Sequence, residues 1–217
     1  MALTEQGNIE ASVAYFVRFA FDRSVRVLDV GTRFGSFLYR LGQLGYSDTA
    51  GADVDAEALA TGRKSYPGLA ERLLHFDGTR LPFDGEEFDV VTAFDVIEHI
   101  PDVPAFLQEI KRVLRPNGFF LFQTPNIFTN VPKEVIYTRS LTRWRTFHCS
   151  LQTLGSLRQR LDEAGFREVK IEKQPICTDF NLSQVRQHLG PIGPVILRGL
   201  QRLPLALYPN FWGHARR

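Results

Sequence analysis

Cysteine is scarce in this chain of 217 residues, where only Cys149 and Cys177 occur. Two cysteines cannot build the disulfide framework of a small secreted domain, and no spacing around them is typical of a metal site. Long apolar runs are absent as well, since none reaches the ~18 residues of a membrane span. The first ten residues lack the basic and apolar segments of a signal peptide. We therefore expect a cytoplasmic protein.

Negative charge is missing from two long stretches, although the formal net charge of the whole chain is only +2. Residues 137–148 contain Arg139, Arg143 and Arg145 and no acidic residue. Residues 183–217 contain five arginines among leucines and prolines, again without an acidic residue. Each stretch indicates either a partner with negative charge or a solvated basic surface.

The positions of apolar residues predict strands that alternate with helices between residues 25 and 124. Strands are expected at 25–30, 49–54, 71–77, 88–94 and 118–124, followed by 166–173 and 210–217. Strands separated by helices need crossover connections, so the sheet should be mainly parallel and covered on both faces. The predicted fold class is α/β, a Rossmann-like three-layer sandwich whose seven-stranded sheet has an antiparallel last strand.

Nothing divides the chain into parts, so we expect one domain over residues 1–217. An N-terminal helix is predicted at 9–22, within residues 1–24, and another helix from a cap at Ser150 to Gly165. Residues 125–149 and 175–210 follow neither the helical nor the strand period. These two segments are expected to be irregular.

Acidic residues end three of the predicted strands, where ligands bind in sheets of this kind. Asp29 precedes a turn from Gly31 to Gly35, Asp53 ends the second strand, and Asp77 ends the third. The turn lacks the G-x-G-x-x-G spacing that brings backbone close to a pyrophosphate. An acid beside the turn favours a cationic group instead, and a strand-end acid can accept hydrogen bonds from ribose hydroxyls. The pattern indicates a nucleoside with a positive tail that has no phosphate.

Four blocks of sequence resemble the class I S-adenosylmethionine-dependent methyltransferase family, of the type that acts on small molecules. The segment VLDVGTRFG is similar to the family's D-x-G-x-G-x-G turn, and GADVDAEAL to its second-strand acidic motif. The closest block is LHFDGTRLPFDGEEFDVVTAFDVIEHIPD, and RVLRPNGFFLFQTPN resembles the fifth-strand block. The blocks keep the family's order and spacing, so the resemblance makes residues 25–126 a cofactor-binding core.

The resemblance implies which acids contact the cofactor, S-adenosyl-L-methionine. Asp29 would lie near its ammonium group, Asp53 would accept from its ribose hydroxyls, and Asp77 would accept from its adenine amine. Any one of these acids could instead be a strand-end or helix-capping residue. Their joint occurrence favours the cofactor contacts.

Backbone groups supply the other implied contacts. Gly31 and Gly35 would line the methionine end of the cofactor, the N–H of Gly78 would face the ring, and the carbonyl of Phe94 would face the amino group. Arg33 replaces the family's middle glycine. We expect Arg33 to have an ordinary backbone conformation and a solvated side chain. The alternatives are an arginine that reaches an anionic acceptor, or a weakened cofactor site.

His99, in the segment DVIEHIPD after the fourth strand, is the candidate general base. A hydroxyl acceptor has to lose a proton during transfer, and histidine takes it most readily. One alternative is a structural histidine. Another is a metal site formed by Asp95, Glu98 and His99, as in some quinone-type relatives. We predict no metal.

The acceptor should be selected by segments outside the core. Asn126 closes the fifth strand and would contact the acceptor or cap the turn, and Arg143 and Arg145 lie in residues 127–149, where relatives place a substrate lid. Arginines suit a phosphate or carboxylate group on the acceptor. Residues 175–210 would form either a cap over the pocket or a lipid-facing patch on a membrane surface.

The sequence thus predicts methyl transfer from S-adenosyl-L-methionine to oxygen on a small anionic or lipid-like acceptor. A nucleic-acid substrate is not expected, because the NPPY-type and PC motifs of base methyltransferases and a separate reading domain are missing. The alternative is a catalytically silent cofactor-binding or partner protein with the same fold. The substitution at Arg33 is the feature that favours this alternative.

Overall fold

One seven-stranded sheet forms the centre of the computed structural model. The structure describes residues 3–146 and 148–217, with the side chains of 9–135, 139–146, 148–179 and 181–217. The strands are β1 (Val27–Val30), β2 (Thr49–Asp53), β3 (Leu73–His75), β4 (Phe88–Phe94), β5 (Leu114–Pro125), β6 (Arg167–Glu172) and β7 (Asn210–Arg216). The helices are α1 (Leu3–Val17), α2 (Ser36–Gln43), α3 (Ala56–Ser65), α4 (Val103–Val113), α5 (Ile127–Thr138), α6 (Leu154–Glu163), α7 (Asp179–Leu189) and α8 (Ile192–Gln201).

The strand order is β3-β2-β1-β4-β5-β7-β6. Neighbouring strands from β3 to β5 are parallel, whereas β7 is antiparallel to both β5 and β6. The predicted fold class, with its antiparallel last strand, is therefore confirmed.

Two hydrophobic clusters cover the two faces of the sheet. Consecutive strand residues divide between them: Leu28 belongs to one cluster and Val27 to the other, and Phe120 and Leu121 are divided in the same way. Side chains of a strand alternate between its faces, so each cluster fills the space under one helical layer. Burial on both faces explains why β1 and β2 are buried along their whole length.

The prediction for the N-terminal helix is wrong at both ends, because α1 spans Leu3–Val17 instead of 9–22. Ala20 has a left-handed backbone with a φ of 47°, which stops the helix before residue 22. Phe19 and Phe21 stack at 5.4 Å between ring centroids and both contact Phe119. These residues are apolar because they pack on the sheet, and the helical period does not extend through them.

Helix α6 starts after Thr153, so the predicted cap at Ser150 is also wrong. The Thr153 hydroxyl accepts from the N–H of Ser156, and the Ser156 hydroxyl accepts from the N–H of Thr153. This reciprocal pair is a capping box, which satisfies two amide groups at the helix start.

The segments expected to be irregular contain three helices, α5, α7 and α8. Proline and glycine occur where a helix tolerates them: Pro191 precedes α8, and Gly190 ends α7 with a φ of 61°. Pro132 lies inside α5.

Two glycines give a matched test of packing. A Cβ on Gly62 of α3 would collide with the carbonyl oxygen of Phe34 in the turn after β1, whereas a Cβ on Gly42 of α2 meets nothing within 4 Å. We expect Gly62→Ala to lower the free energy of unfolding by about 1–3 kcal/mol. Gly42→Ala should raise it by about 0.5–1 kcal/mol, because alanine loses less backbone entropy. Urea unfolding measures both changes, and equal effects would contradict the close approach of α3 to the turn.

Candidate active site

Predicted ligand residues meet at one edge of the sheet. Strands β3, β2, β1 and β4 are parallel and end at the same edge, and the strand order reverses between β1 and β4. Asp29 lies in β1, Asp53 ends β2, and Phe94 ends β4. Ligands of parallel α/β sheets bind outside this edge, next to the reversal.

Gly31 and Gly35 occupy positions of the turn that have no room for a side chain. Their φ angles are +76° and +79°. A Cβ on Gly31 would collide with Val96, and a Cβ on Gly35 would lie 2.9 Å from a methyl group of Leu73. The turn therefore presents bare backbone to the edge of the sheet, as a closely approaching ligand requires.

Arg33 has the backbone of the glycine that it replaces. Its φ is 53°, so the expectation of an ordinary conformation is wrong. This left-handed conformation costs roughly 1–2 kcal/mol for a residue with a Cβ. The N–H of Arg33 donates to Oδ2 of Asp53 at 2.7 Å, which holds the turn in shape. The side chain is exposed as expected, with its guanidinium 4.7 Å from the ring centroid of Phe34.

Asp29 is buried beneath the turn. The Thr92 hydroxyl on β4 donates to its Oδ1 at 2.7 Å. Burial raises the pKa of the Asp29 carboxyl to about 7, even though the hydrogen bond from Thr92 opposes the shift. Because the neutral and ionised forms are nearly balanced at neutral pH, a cation bound nearby would favour the carboxylate.

Asp53 joins the turn after β1 to the turn after β2. Its Oδ2 accepts from the N–H of Arg33, and its Oδ1 accepts from the N–H of Asp55 at 2.8 Å. The residue is 8% exposed. Each carboxylate oxygen has a second lone pair, so the group can still accept from two hydroxyls.

Asp77 is not the last residue of a strand, because β3 ends at His75. Its Oδ1 accepts from the N–H and the hydroxyl of Thr79 and from the N–H of Arg80. These bonds, led by the Thr79 hydroxyl, lower the pKa of Asp77 to about 2. The neighbouring Gly78 has a φ of +86°. Asp77 and Gly78 thus form an exposed turn, and their contact with an adenine stays a prediction.

Phe94 is anchored by aromatic contacts. Its ring centroid lies 5.5 Å from that of Phe37, 5.6 Å from that of Trp212 and 6.4 Å from that of Tyr15. Ring packing of this kind fixes the end of β4, where the Phe94 carbonyl is predicted to face an amino group.

His99 lies in the short 3₁₀ turn Ile97–His99 that follows β4, and its side chain is half exposed. Its Nε2 lies 3.9 Å from Oε1 of Glu98. Glu98 is buried and accepts from the Thr124 hydroxyl at 2.9 Å. Burial, followed by the negative charge of Asp95, raises the pKa of Glu98 to about 8. An accessible imidazole is therefore backed by a carboxyl that keeps its proton at neutral pH.

His148 is a second histidine at this position, which the sequence reasoning did not single out. Its ring centroid lies 5.1 Å from that of His99. Burial, together with the charge of His99, lowers the pKa of His148. Two residues later, the N–H of Ser150 donates to the carbonyl of Glu98 at 3.0 Å. The segment between α5 and α6 is thus held against the turn that carries His99.

Glu98, His99 and His148 are spaced to hold a metal ion, with one ligand atom from each lying within 4.8 Å of the other two. In the described part of the chain, Asp95 is not a member of this group, which differs from the metal site considered as an alternative. A metal would have to displace a proton from Glu98, whose pKa burial raises. The absence of a metal stays a prediction.

Asn126 has a structural role. Its amide group donates to the carbonyls of Ala206 and Tyr208, both at 2.9 Å, and its Oδ1 accepts from the N–H of Phe128 at the start of α5. The residue is fully buried. With both amide hydrogens donated within the protein, the turn-capping alternative describes Asn126, and we do not include it in the proposed acceptor site.

Arg143 and Arg145 lie in the exposed 3₁₀ turn Arg143–Thr146. The guanidinium of Arg145 is 5.3 Å from the ring centroid of Trp144. Among the described residues, neither guanidinium has a carboxylate partner. The turn ends two residues before His148, which lies beside His99. A role of both arginines in acceptor binding stays a prediction.

Thr92 and Val96 are further site residues that the sequence alone did not indicate. Thr92 is opposite Asp29 in the register of β1 and β4, and Val96 fills the space that a side chain at Gly31 would need. Both roles depend on strand pairing, so the alternation of strands and helices could not have revealed them.

Comparison with known proteins agrees with this geometry. Residues 5–171 match the family model described as "Methyltransferase domain". The chain is 37% identical over 116 residues to a probable S-adenosylmethionine-dependent methyltransferase of Mycolicibacterium smegmatis, which covers 54% of this chain and 42% of that protein. It is 31% identical over 106 residues to a ubiquinone biosynthesis O-methyltransferase of Azorhizobium caulinodans, with 48% of this chain and 42% of that protein covered. The chain thus spans less than half the length of these relatives.

A solved structure has the same fold. The S-adenosylmethionine-dependent methyltransferase of Mesorhizobium loti superposes with a TM-score of 0.69 at 18% identity, over 96% of this chain and all of that one. The family match and the shared fold coincide with the turn, the acids and the strand order described above. The chain belongs to the class I S-adenosylmethionine-dependent methyltransferase family.

Proposed function

We propose that this protein transfers a methyl group from S-adenosyl-L-methionine to a hydroxyl oxygen of a small acceptor that is anionic or lipid-like. The observation that supports oxygen most directly is the accessible imidazole of His99, which follows β4 at the edge where the glycine turn lies. The relative named as an O-methyltransferase of ubiquinone biosynthesis agrees with this choice.

The residues at the edge of the sheet fit the family's cofactor. Gly31 and Gly35 leave a side-chain-free surface for its methionine part, and the buried Asp29 lies below that surface for the ammonium group. Asp53 offers its remaining lone pairs to the ribose hydroxyls. When bound, S-adenosyl-L-methionine supplies an electrophilic methyl group on a sulfonium. The glycine conformation of Arg33 preserves this surface, which argues against a silent protein.

His99 accepts the acceptor's proton at a ring nitrogen. Glu98 keeps its proton at neutral pH, so it is not a competing base, and its bond from Thr124 fixes it behind the imidazole. The nucleophile has to lie about 3–3.5 Å from the methyl carbon with water excluded. His148 packs on one side of the His99 ring, and we propose that a bound acceptor excludes water from the other side.

Arg143 and Arg145 support an acceptor with negative charge. Both guanidiniums are exposed in the turn that precedes His148. Within the described residues, neither guanidinium has a carboxylate partner. A phosphate or carboxylate on the acceptor would supply the missing partner through charge-assisted hydrogen bonds.

The cofactor site is tested by Asp53→Ala. Loss of hydrogen bonds to a charged acceptor costs about 1.5–3 kcal/mol, so affinity for S-adenosyl-L-methionine should fall roughly 10- to 150-fold. Arg33→Gly is the matched turn variant, which should leave affinity within about two-fold and raise the free energy of unfolding by about 1 kcal/mol. Calorimetry measures both affinities. Unchanged binding by folded Asp53→Ala would refute the ribose contact, and a large gain with Arg33→Gly would mean that arginine weakens the site.

The general base is tested once a labelled-methyl screen of fractionated metabolites has given an acceptor. His99→Ala should lower kcat by about 10²-fold with nearly unchanged cofactor affinity, because only proton removal is lost. His188→Ala, which removes an exposed histidine from α7, is the control. If His99→Ala keeps full activity, His99 is not the general base and has a structural role instead.

The anionic acceptor is tested with Arg143→Gln/Arg145→Gln. Exposed charges are screened within about 8 Å at physiological salt, so the wild-type KM for the acceptor should rise with salt. The double variant should have a higher KM and a flatter salt dependence, with cofactor affinity unaffected. Arg80→Gln/Arg158→Gln removes the same charge elsewhere and should behave as wild type. If the wild type, Arg143→Gln/Arg145→Gln and the control variant have the same KM for the acceptor across a salt series, an uncharged acceptor is favoured instead.

A further inference from the structure

The hairpin of α7 and α8 exposes an apolar surface. Ile192, Val195 and Ile196 on α8 are 60%, 63% and 47% exposed, and Leu189 at the end of α7 is 53% exposed. The three α8 residues recur at the spacing of one helical face. Among the described residues, neither hydrophobic cluster of the sheet includes a member of α7 or α8. The two helices pack on each other instead, since a Cβ on Gly193 would collide with the carbonyl of Val185.

Positive charge borders this apolar surface. Arg186, Arg198 and Arg202 are exposed, and the sequence has no acidic residue after Asp179. Within the part of the chain that the structure describes, none of these three guanidiniums is paired with a carboxylate. We call Leu189, Ile192, Val195 and Ile196 the apolar stripe. A stripe bordered by arginines suits a surface in which negatively charged groups lie above an apolar layer.

A groove between the helices offers room for a phosphate group. This open groove of about 460 Å³ is lined by Arg186 and Arg198, with Ser183 and Gln187 beside them and Asp179 at its wall. Two guanidiniums with neighbouring hydroxyl and amide donors suit the oxygens of a phosphate. The apolar residues of α8 begin next to this groove, at Ile192. In a lipid bilayer, acyl chains lie next to the phosphate headgroups in the same way.

We propose that the α7–α8 hairpin docks on the surface of an anionic lipid bilayer. Leu189, Ile192, Val195 and Ile196 enter the boundary of the acyl chains, and the three arginines contact the headgroup phosphates. Helices with this distribution lie in the plane of the interface. Of the helices that the structure describes, none has the length and apolar character to cross a bilayer, so the contact is with the surface.

The docking surface is near the candidate active site. The hairpin is inserted between β6 and β7, and Glu172 at the end of β6 pairs with Trp212, which also pairs with Gln123 near the end of β5. The hairpin therefore emerges from the edge of the sheet on which the candidate site lies. A cap over the pocket does not account for the stripe, because its side chains face solvent. Docking does not depend on methyl transfer, and it can be measured without an acceptor.

Vesicle flotation of the full chain tests the charge requirement. Vesicles of phosphatidylcholine with phosphatidylglycerol should bind the protein, and vesicles of phosphatidylcholine alone should bind it far less. Each arginine near an anionic surface is worth roughly five-fold in affinity, so Arg186→Gln/Arg198→Gln/Arg202→Gln should lose about 100-fold. The control Lys64→Gln/Arg80→Gln/Arg158→Gln removes the same charge from other exposed positions and should bind as wild type.

The apolar requirement is tested at low salt, where charge alone favours binding. Ile192→Ser/Ile196→Ser should lose roughly ten-fold or more in affinity, because less apolar area is buried in the bilayer. Leu44→Ser/Val54→Ser is the control, since these residues are 42% and 57% exposed elsewhere. All substitutions are on the surface, and unchanged thermal unfolding confirms that each variant is folded.

Three results would overturn the proposal. The first is no binding of the wild type to phosphatidylglycerol vesicles at low salt, or equal binding to both kinds of vesicle. The second is an equal loss of binding in the control and hairpin variants, which would mean that docking is not localised to α7–α8. The third is a dimer in light scattering that Ile192→Ser/Ile196→Ser dissociates, because a second copy of the chain would then cover the stripe.

Discussion

The turn after β1 has no room for a side chain at Gly31 or Gly35, and most of the candidate site depends on that constraint. Gly31 lies against Val96 of the turn after β4, and Gly35 lies against Leu73 of β3. Asp53 of β2 holds the middle of the turn through the N–H of Arg33. Residues from β2, from β3 and from the turn after β4 thus pack against one short turn and fix its shape.

The same closeness explains the unusual acids of the site. Asp29 and Glu98 are buried, and burial raises the pKa of each, to about 7 and about 8. A carboxyl whose pKa is raised on folding keeps its proton in the native state while the unfolded chain has lost it. Its contribution to stability therefore declines as the pH rises from about 4 towards the folded pKa. This cost falls on two residues of the candidate site, Asp29 in β1 and Glu98 beside His99.

The sequence was sufficient where local chemistry decides the structure. Strands buried on both faces, and acids and glycines at their ends, predicted the sheet and brought Asp29 and Asp53 to one edge. The sequence was insufficient where contacts between residues far apart in the chain determine the local structure. Arg33 adopts a left-handed backbone because Asp53, 20 residues away, accepts its N–H. His148 meets His99 only through the chain reversal between α5 and α6. Helices α7 and α8 escaped prediction because glycine and proline cluster at their junction, where Gly190 ends α7 and Pro191 precedes α8, and such residues are typical of irregular segments.

The site and the exposed hairpin share one edge of the sheet for a topological reason. An insertion between β6 and β7 leaves the sheet where the parallel strand β5 ends, which is where α/β sheets build their sites. Asn126, at that end of β5, binds the carbonyls of Ala206 and Tyr208 in the segment that returns from the hairpin. The hairpin is therefore attached at the end of β5, on the edge of the sheet where the candidate site lies. If the acceptor is lipid-like and the hairpin docks as proposed, the acceptor would approach from this edge with its polar head towards His99.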